Sequence, residues 1–184
     1  LAKSYNLKVI EDCSQAHGAT INSKHVGSFG DLSCWSFCQD KIISTGGEGG
    51  MVSCSKEENW KKIWAIKDHG KNFDLTLEKN TDSNFRWLHE NFGYNFRLTE
   101  MQSAIGRFQL NLLSEWNKLR NRNAKILINE LSNLSVIRIP LPPKNYNHAW
   151  YKFYVYLNYK YMKKDWCRAK IIDSIKEYGY PAFQ

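Results

Sequence analysis

The sequence lacks any long apolar segment. No stretch approaches the roughly 18 uninterrupted apolar residues of a membrane-spanning helix, and even the aromatic run at residues 149–157 is interrupted by Lys152. We therefore expect neither a spanning helix nor a membrane partner.

Paired cysteine motifs are also missing. The chain has five cysteines, an odd number, and no two of them have the C-x-x-C spacing of a zinc or redox site. Reduced thiols in a cytoplasmic protein are the simpler interpretation. The five histidines do not cluster with acids at metal-ligand spacing, so no metal site is predicted. Packing or hydrogen bonding is the default role for each, and His148 is a weak active-site candidate.

Acidic residues are scarce in the last seventy positions. Residues 1–114 hold 13 basic and 13 acidic residues, whereas residues 115–184 hold 13 basic and 5 acidic, which accounts for the net charge of +8. A basic half could contact nucleic acid, but its Lys and Arg are dispersed along predicted helices and match no nucleic-acid-binding module. A solvated basic face is the favoured interpretation, and no nucleic-acid partner is expected.

The chain begins with LAKSYNLKVIED, without an initiator methionine or a leader, and stops at GYPAFQ just after an amphipathic stretch. These ends suggest a piece of a longer protein.

A composition of 42% hydrophobic and 14% aromatic residues is ample for a folded core. The pattern predicts strands at 7–12 (buried), 32–37, 51–55 and 148–158. It predicts helices from 56 to a stop at Gly70, from 99 to 131, and over 164–178. Residues 71–97 show no periodicity and are predicted to form a long loop that is functional or packs on a partner.

Four polar residues lie at or just beyond the carboxyl ends of the first two predicted strands. Asp12 ends the first strand and Gln15 follows it, whereas Ser36 and Lys41 lie at the end of the second. Ligands of open α/β sheets bind beyond the carboxyl ends of strands, so these groups could converge on one pocket. A lysine amine with a carboxylate and a hydroxyl suits pyridoxal phosphate, which bonds to an amine and needs an acid at its ring nitrogen.

Each of these residues also has a plainer interpretation. A lone aspartate at a strand end is usually a turn or cap residue, and a lone lysine is usually on the surface. TGGEGG (45–50) matches neither the P-loop nor the dinucleotide fingerprint and alone indicates only a tight turn.

Four ordered strings narrow these possibilities: EDCSQAHGA (11–19), GSFGDLSCWSF (27–37), QDKIISTGGEGGMV (39–52) and GYNFRLTEMQSAIGRFQL (93–110). Together they resemble, in order and spacing over about residues 5–158, the DegT/StrS-type sugar aminotransferases. The resemblance implies the α/β fold of the pyridoxal-phosphate-dependent transferases (aspartate aminotransferase-like, fold type I). Residues 1–114 would be the C-terminal part of the large domain. Residues 115–184 would be a connecting helix and part of the small C-terminal α+β domain.

By motif, the resemblance makes Lys41 the lysine that bonds to the cofactor and Asp12 the acid at its ring nitrogen. Gln15 would lie near the cofactor's 3-hydroxyl and Ser36 at its phosphate. Asn95 would reach the phosphate in the neighbouring subunit, which implies a homodimer with shared active sites.

The implied reaction is amino transfer, with glutamate or a similar donor, to a nucleotide-linked keto sugar in amino-sugar and polysaccharide biosynthesis. Relatives with histidine at position 41 are dehydratases, so Lys41 favours amino transfer. The alternative is a non-catalytic regulatory or sugar-binding relative of the same fold.

Overall fold

The computed structural model describes residues 1–79, 86 and 88–184. Its strands are β1 (Ile10–Asp12), β2 (Thr20–Ile21), β3 (Lys24–His25), β4 (Leu32–Ser36), β5 (Gly50–Cys54), β6 (Ile137–Arg138), β7 (Tyr146–Asn147) and β8 (Tyr156–Leu157). Its helices are α1 (Glu57–Lys67), α2 (Phe73–Leu77), α3 (Glu100–Leu131) and α4 (Arg168–Glu177), with short 3₁₀ turns at Lys3–Tyr5 and Tyr159–Tyr161. Within the described ranges, no helix combines the length and apolarity needed to cross a bilayer.

A three-stranded sheet organises the first part of the chain, in the order β1-β4-β5. β1 pairs with β4 in parallel, with Asp12 opposite Cys34, and β4 pairs with β5 antiparallel. The three predicted strands are therefore confirmed, and they lie in one sheet. Because β1 and β4 are parallel, their carboxyl ends lie at the same edge of the sheet, as the site prediction requires.

The first strand is shorter and more exposed than predicted. The backbone N–H of Val9 donates to the Asp31 carboxylate at 2.9 Å, so a side chain takes the place of a strand partner and regular pairing starts at Ile10. Ile10 is 62% exposed, and β1 lies at one edge of the three-stranded sheet. The expectation of a buried strand over residues 7–12 was wrong in this respect.

Helix α1 ends as predicted, and it packs against β5. The backbone of Gly70 has a φ of +75° and its N–H returns to the carbonyl of Ala65 at 2.7 Å, which closes the helix. The described part of the predicted long loop over residues 71–97 is not wholly irregular, because it contains α2. Its first turn is capped by Asn72, whose side chain accepts from the N–H of Leu75.

Helix α3 begins with a capping box. The hydroxyl of Thr99 accepts from the N–H of Gln102, and the Gln102 side chain accepts in return from the N–H of Thr99. The helix then continues for 32 residues without a break. It passes through the predicted domain boundary between residues 114 and 115, which remains a prediction.

The predicted strand over residues 148–158 was wrong except at Tyr156–Leu157. Trp150 has a φ of +48°, outside the strand region. Its indole donates to Asn121, and the Arg120 guanidinium donates to its carbonyl at 3.2 Å. Helix α3 thus pins this segment in an irregular path. The last helix is confirmed but shorter than predicted, because α4 begins at Arg168.

The buried apolar side chains of the described ranges are small in number, namely Cys13, Ile42, Ile43, Ala65, Ala124 and Ala149. Ile42 and Ile43 directly follow Lys41, and each is only 3% exposed. The core therefore anchors the turn that carries the candidate lysine.

Candidate functional site

Asp12 lies at the carboxyl end of β1 and forms a local turn with Ser14. Its Oδ1 accepts from the Ser14 hydroxyl at 2.5 Å and from the Ser14 N–H at 3.0 Å. These hydrogen bonds lower the pKa of Asp12, and the positive charge of Lys41 lowers it further. The plainer interpretation of Asp12 as a turn former therefore describes part of its geometry. The same turn leaves the Asp12 carboxylate exposed and anionic at the sheet edge.

Lys41 lies in a closed turn that begins directly after β4. The N–H of Lys41 donates to the carbonyl of Cys38, and the N–H of Thr45 donates to the carbonyl of Phe37 at the base of the turn. The side chain of Lys41 is only 15% exposed. The plainer interpretation of a surface lysine therefore does not fit this residue.

Two side chains surround the Lys41 amine. The Nζ atom lies 4.9 Å from the centroid of the Tyr151 ring and 3.8 Å from Oδ1 of Asp40. The Tyr151 hydroxyl donates to Oδ2 of Asp40. This hydrogen bond lowers the pKa of Asp40 and raises that of Tyr151. The amine thus faces an anion from its own motif, residues 39–52, and an aromatic ring from outside the four motifs.

Ser36 and Gln15, the other two residues predicted for this edge, lie close in sequence to Lys41 and Asp12. Ser36 is the last residue of β4, and its Oγ accepts from the N–H of Cys38 at 3.3 Å. Gln15 is exposed in the turn after Asp12. The parallel pairing of β1 and β4 thus brings Asp12, Ser36 and the Lys41 turn to one sheet edge.

Asn95 lies elsewhere. Asn95 is exposed, and its backbone forms an isolated antiparallel β-bridge with Asp68 at the end of α1. Its Oδ1 accepts a hydrogen bond from the Arg97 guanidinium at 2.9 Å. Within the described ranges, no hydrogen bond or ion pair joins it to the Lys41 edge. Asn95 is therefore not part of the same cluster within one chain.

His17 is buried between the rings of Trp35 and Phe37, with centroids 5.5 and 5.9 Å away. Burial lowers its pKa, so the ring is neutral at pH 7. His148 accepts at Nδ1 from the N–H of Trp150, a structural contact for the weak active-site candidate. Among the described residues, no group of three or more His, Cys, Asp or Glu has the arrangement of a metal site.

The model of one protein family matches residues 1–181, a wider range than the motifs indicated. It is described as the DegT/DnrJ/EryC1/StrS aminotransferase family. The chain belongs to this family.

Two of the similar curated proteins carry the names of nucleotide-sugar enzymes. A UDP-N-acetyl-3-dehydro-alpha-D-glucosamine 3-aminotransferase of Acidithiobacillus ferrooxidans is 36% identical over 184 residues, all of this chain and 46% of the relative. A dTDP-3-amino-3,6-dideoxy-alpha-D-galactopyranose transaminase of Aneurinibacillus thermoaerophilus is 33% identical over 155 residues, 84% of this chain and 39% of the relative.

Among solved structures, an aminotransferase from Psychrobacter cryohalolentis superposes with a TM-score of 0.93 at 44% identity. The match covers 99% of this chain and 48% of that one. The predicted fold type I aminotransferase fold is confirmed. The chain spans about half the length of the relatives it matches.

Sequence reasoning missed the residues that hold the Lys41 turn in place. The amide oxygen of Gln109 accepts from the N–H of Ser44 at 2.8 Å, and the amide nitrogen of Gln102 donates to the carbonyl of Glu48 at 2.8 Å. Both glutamines fall in the string EMQSAIGRFQL (100–110), which was interpreted for its helical pattern and its family resemblance but not for contacts with the turn. Their spacing of seven residues, which puts them on one helix face, was the available signal.

Proposed function

We propose that the whole protein is a pyridoxal-phosphate-dependent aminotransferase that transfers an amino group, from glutamate or a similar donor, to a nucleotide-linked keto sugar. The observation that carries the proposal is the placement of the shielded Lys41 at the same sheet edge as Asp12. The names of the two curated relatives support a nucleotide-sugar substrate. Such amino sugars supply cell-surface polysaccharides.

The side chains at this edge fit the proposed cofactor. Pyridoxal phosphate supplies an aldehyde that bonds to an amine and a protonated ring that withdraws electrons. Asp12 has a lowered pKa and is therefore anionic at pH 7, as a partner of a protonated ring nitrogen must be. Ser36 would offer a hydroxyl to the phosphate, and Gln15 would offer an amide to the 3-hydroxyl.

Lys41 has two roles in this proposal. Its Nζ would hold the cofactor covalently before substrate arrives. Once released, the same amine would move a proton between the substrate carbon and the cofactor's benzylic carbon, away from the donor's Cα in the first half of the reaction and onto the sugar carbon that receives nitrogen in the second. A side chain that is mostly shielded from water suits this role, because solvent then competes less for the proton.

The proposed working unit is a homodimer in which Asn95 serves the partner's site. The segment around Asn95 exposes Phe92, Tyr94 and Phe96, which are 101%, 61% and 67% exposed. Tyr94 and Phe96 stack at 4.9 Å with an interplanar angle of 6°. Aromatic surface of this kind is enriched in protein interfaces. Phe85 and Trp87, which belong to the predicted loop over residues 71–97, lie outside the described residues.

The proposed compartment is the cytoplasm. All five cysteines fall in the described ranges and are present as free thiols, in keeping with a reducing environment.

The test is chemical trapping in the full chain. With pyridoxal phosphate, the protein should develop the near-ultraviolet and visible absorbance of a lysine-bonded cofactor. Borohydride should then fix the label on the peptide that contains Lys41. Lys41→Ala should lose the label without unfolding, and the matched control Lys56→Ala should keep it. A label on Lys24 or Lys56, or a trapped protein without amino transfer to any keto sugar, would support the regulatory alternative instead.

A further inference from the structure

The turn that carries Lys41 rests along one face of helix α3. Residues 102, 105, 106 and 109 of that helix are one or two turns apart and therefore share a face. A methyl group built on Gly106 would lie 2.9 Å from Cγ2 of Thr45, and one built on Gly46 would lie 2.9 Å from Cδ1 of Ile105. Helix and turn are thus in van der Waals contact along this face.

Two glutamines on this face form hydrogen bonds with the backbone of the turn, one as an acceptor and the other as a donor. Gln109 accepts from the backbone N–H of Ser44, whereas Gln102 donates to the backbone carbonyl of Glu48. The partners lie 65 and 54 residues away in the sequence, and they flank the buried Thr45, which is 1% exposed. The two hydrogen bonds therefore hold the backbone of the turn on both sides of Thr45.

The rest of the turn leaves Lys41 little freedom. Ile42 and Ile43 are buried, and the N–H of Thr45 closes the base of the turn on Phe37. The contact of Gln109 at Ser44 is only three residues beyond Lys41. A cavity of about 560 Å³ lies beside it and is lined by Lys41, Ser44, Gln109 and Arg120 among others.

We propose that Gln102 and Gln109 are positioning residues that form a two-point clamp fixing the turn of Lys41 against helix α3. The expected effect on catalysis rests on the proposed function, whereas the expected effect on the order of the turn does not. A nucleophile displaced by about 1 Å can lose on the order of a hundredfold in rate. A clamp that fixes the turn therefore matters for amino transfer even though neither glutamine touches the reacting atoms.

The opposite polarity of the two contacts allows a crossed test. Gln109→Glu keeps the acceptor for Ser44, at a position that lines the same cavity as the cationic side chains of Lys41 and Arg120. Gln109→Met keeps the volume and removes the acceptor. At the other point, Gln102→Glu keeps the capping contact with Thr99 but loses the donor to Glu48.

The first measurement is amide hydrogen exchange of residues 38–49 in the cofactor-free full chain. Protection of the Ser44 amide should fall about tenfold or more in Gln109→Met and stay near wild type in Gln109→Glu. Gln102→Glu should loosen the turn although the same substitution is harmless at position 109. Equal protection in all variants would overturn the clamp, whatever the protein's activity.

The second measurement concerns catalysis in the cofactor-loaded full chain. In Gln109→Met we expect kcat to fall about tenfold with a donor KM within about twofold of wild type. We also expect a changed pH dependence of the absorbance of the lysine-bonded cofactor. If the Ser44 amide loses its protection in Gln109→Met but kcat and absorbance do not change, the positioning role would be overturned. If Gln109→Met does not fold, the Gln102→Glu variant decides between the same outcomes.

Discussion

The ring of Tyr151 covers the amine of Lys41, with Nζ 4.9 Å from the ring centroid, while its hydroxyl donates to Asp40, the residue just before that lysine. One side chain from the C-terminal segment therefore contacts both members of the Asp40–Lys41 pair. Tyr151 reaches this position because Arg120 and Asn121 of α3 bind the backbone and the indole of the preceding Trp150.

Separate variants should remove the two contacts of Tyr151. Tyr151→Phe keeps the ring and loses the hydrogen bond, so the pKa of Asp40 should rise toward its ordinary value. Because the folded pKa of Asp40 is lowered, the stability it contributes is present above the ordinary pKa and is lost as the pH falls through the lowered value. A carboxyl-carbon NMR titration should show the rise, and Tyr178→Phe, at an 82% exposed tyrosine, should not.

Tyr151→Ala also removes the ring and should expose Lys41. An amine-reactive reagent applied to the cofactor-free protein should then label Lys41 several-fold faster, because its side chain is only 15% exposed beneath the ring. Peptide mapping by mass spectrometry measures that rate. An unchanged labelling rate would mean that Asp40 and the turn, rather than Tyr151, shield the amine.

Glu11→Gln should destabilise the protein at neutral pH. The Glu11 carboxylate accepts backbone N–H groups from Gly27, Phe29 and Gly30 at 2.6–2.7 Å. Burial tends to raise the pKa of Glu11, but these hydrogen bonds outweigh it and lower the pKa. Gln keeps one acceptor oxygen and loses the other, and a hydrogen bond to a charged group contributes about 1.5–3 kcal/mol, so we expect a loss of about 2 kcal/mol at pH 7.

The loss should disappear in acid. A group with a lowered folded pKa stabilises the protein above its ordinary pKa and ceases to do so as the pH falls through the lowered one. Urea unfolding of wild type and Glu11→Gln should therefore converge below the ordinary value of 4.5. Glu58→Gln, at an exposed site in the first turn of α1, serves as the control. Parallel curves down to pH 3 would contradict the carboxylate's role.

Asp12→Asn should impair turnover far more than cofactor binding. The amide keeps an acceptor for Ser14, so the local turn survives, but it cannot stabilise a protonated ring nitrogen. We expect kcat of the full chain to fall on the order of a thousandfold. Cofactor affinity, measured by absorbance titration, should change much less. Near-normal turnover would show that Asp12 is a turn former only.

Hybrid dimers should test whether Asn95 acts across a subunit boundary. Lys41→Ala and Asn95→Asp proteins should each be inactive in the full chain. When subunits exchange, one site of the hybrid has both residues intact, and activity should return. Each variant subjected to the same exchange alone is the control. A mixture that exchanges subunits yet stays inactive, or an active full-length monomer on sizing, would show that Asn95 does not serve a partner.

Gly70→Ala should destabilise the protein by disturbing the end of α1 where it meets its neighbours. The added methyl would lie 1.7 Å from the carbonyl oxygen of Asn91 at a φ of +75°. Gly179 follows α4 with a φ of +83° and nothing within 4 Å, so Gly179→Ala isolates the cost of the backbone conformation alone. We expect about 1 kcal/mol for Gly179→Ala and at least about 3 kcal/mol for Gly70→Ala, measured by thermal unfolding. Equal losses would mean that the chain near Asn91 moves aside.

The sequence by itself determined the features that depend on neighbouring residues. Thr99 and Gln102 are three residues apart, and their capping box starts α3 where it was predicted. The short β-branched runs formed strands, and Gly70 ended α1, since each signal acts within a few residues. The ordered motifs around Asp12 and Lys41 also indicated the family, because local strings preserve the turn geometry that such a site needs.

Only the tertiary structure decided what surrounds Lys41. Tyr151 lies 110 positions away and was assigned to a strand by its alternating neighbours, yet α3 holds its segment in an irregular path. The contacts of Gln102 and Gln109 depend on how α3 lies against the turn after β4, and Glu11 depends on how the loop 27–30 folds back. Periodicity describes which face of an element is apolar, but it does not encode which distant backbone atoms meet that face.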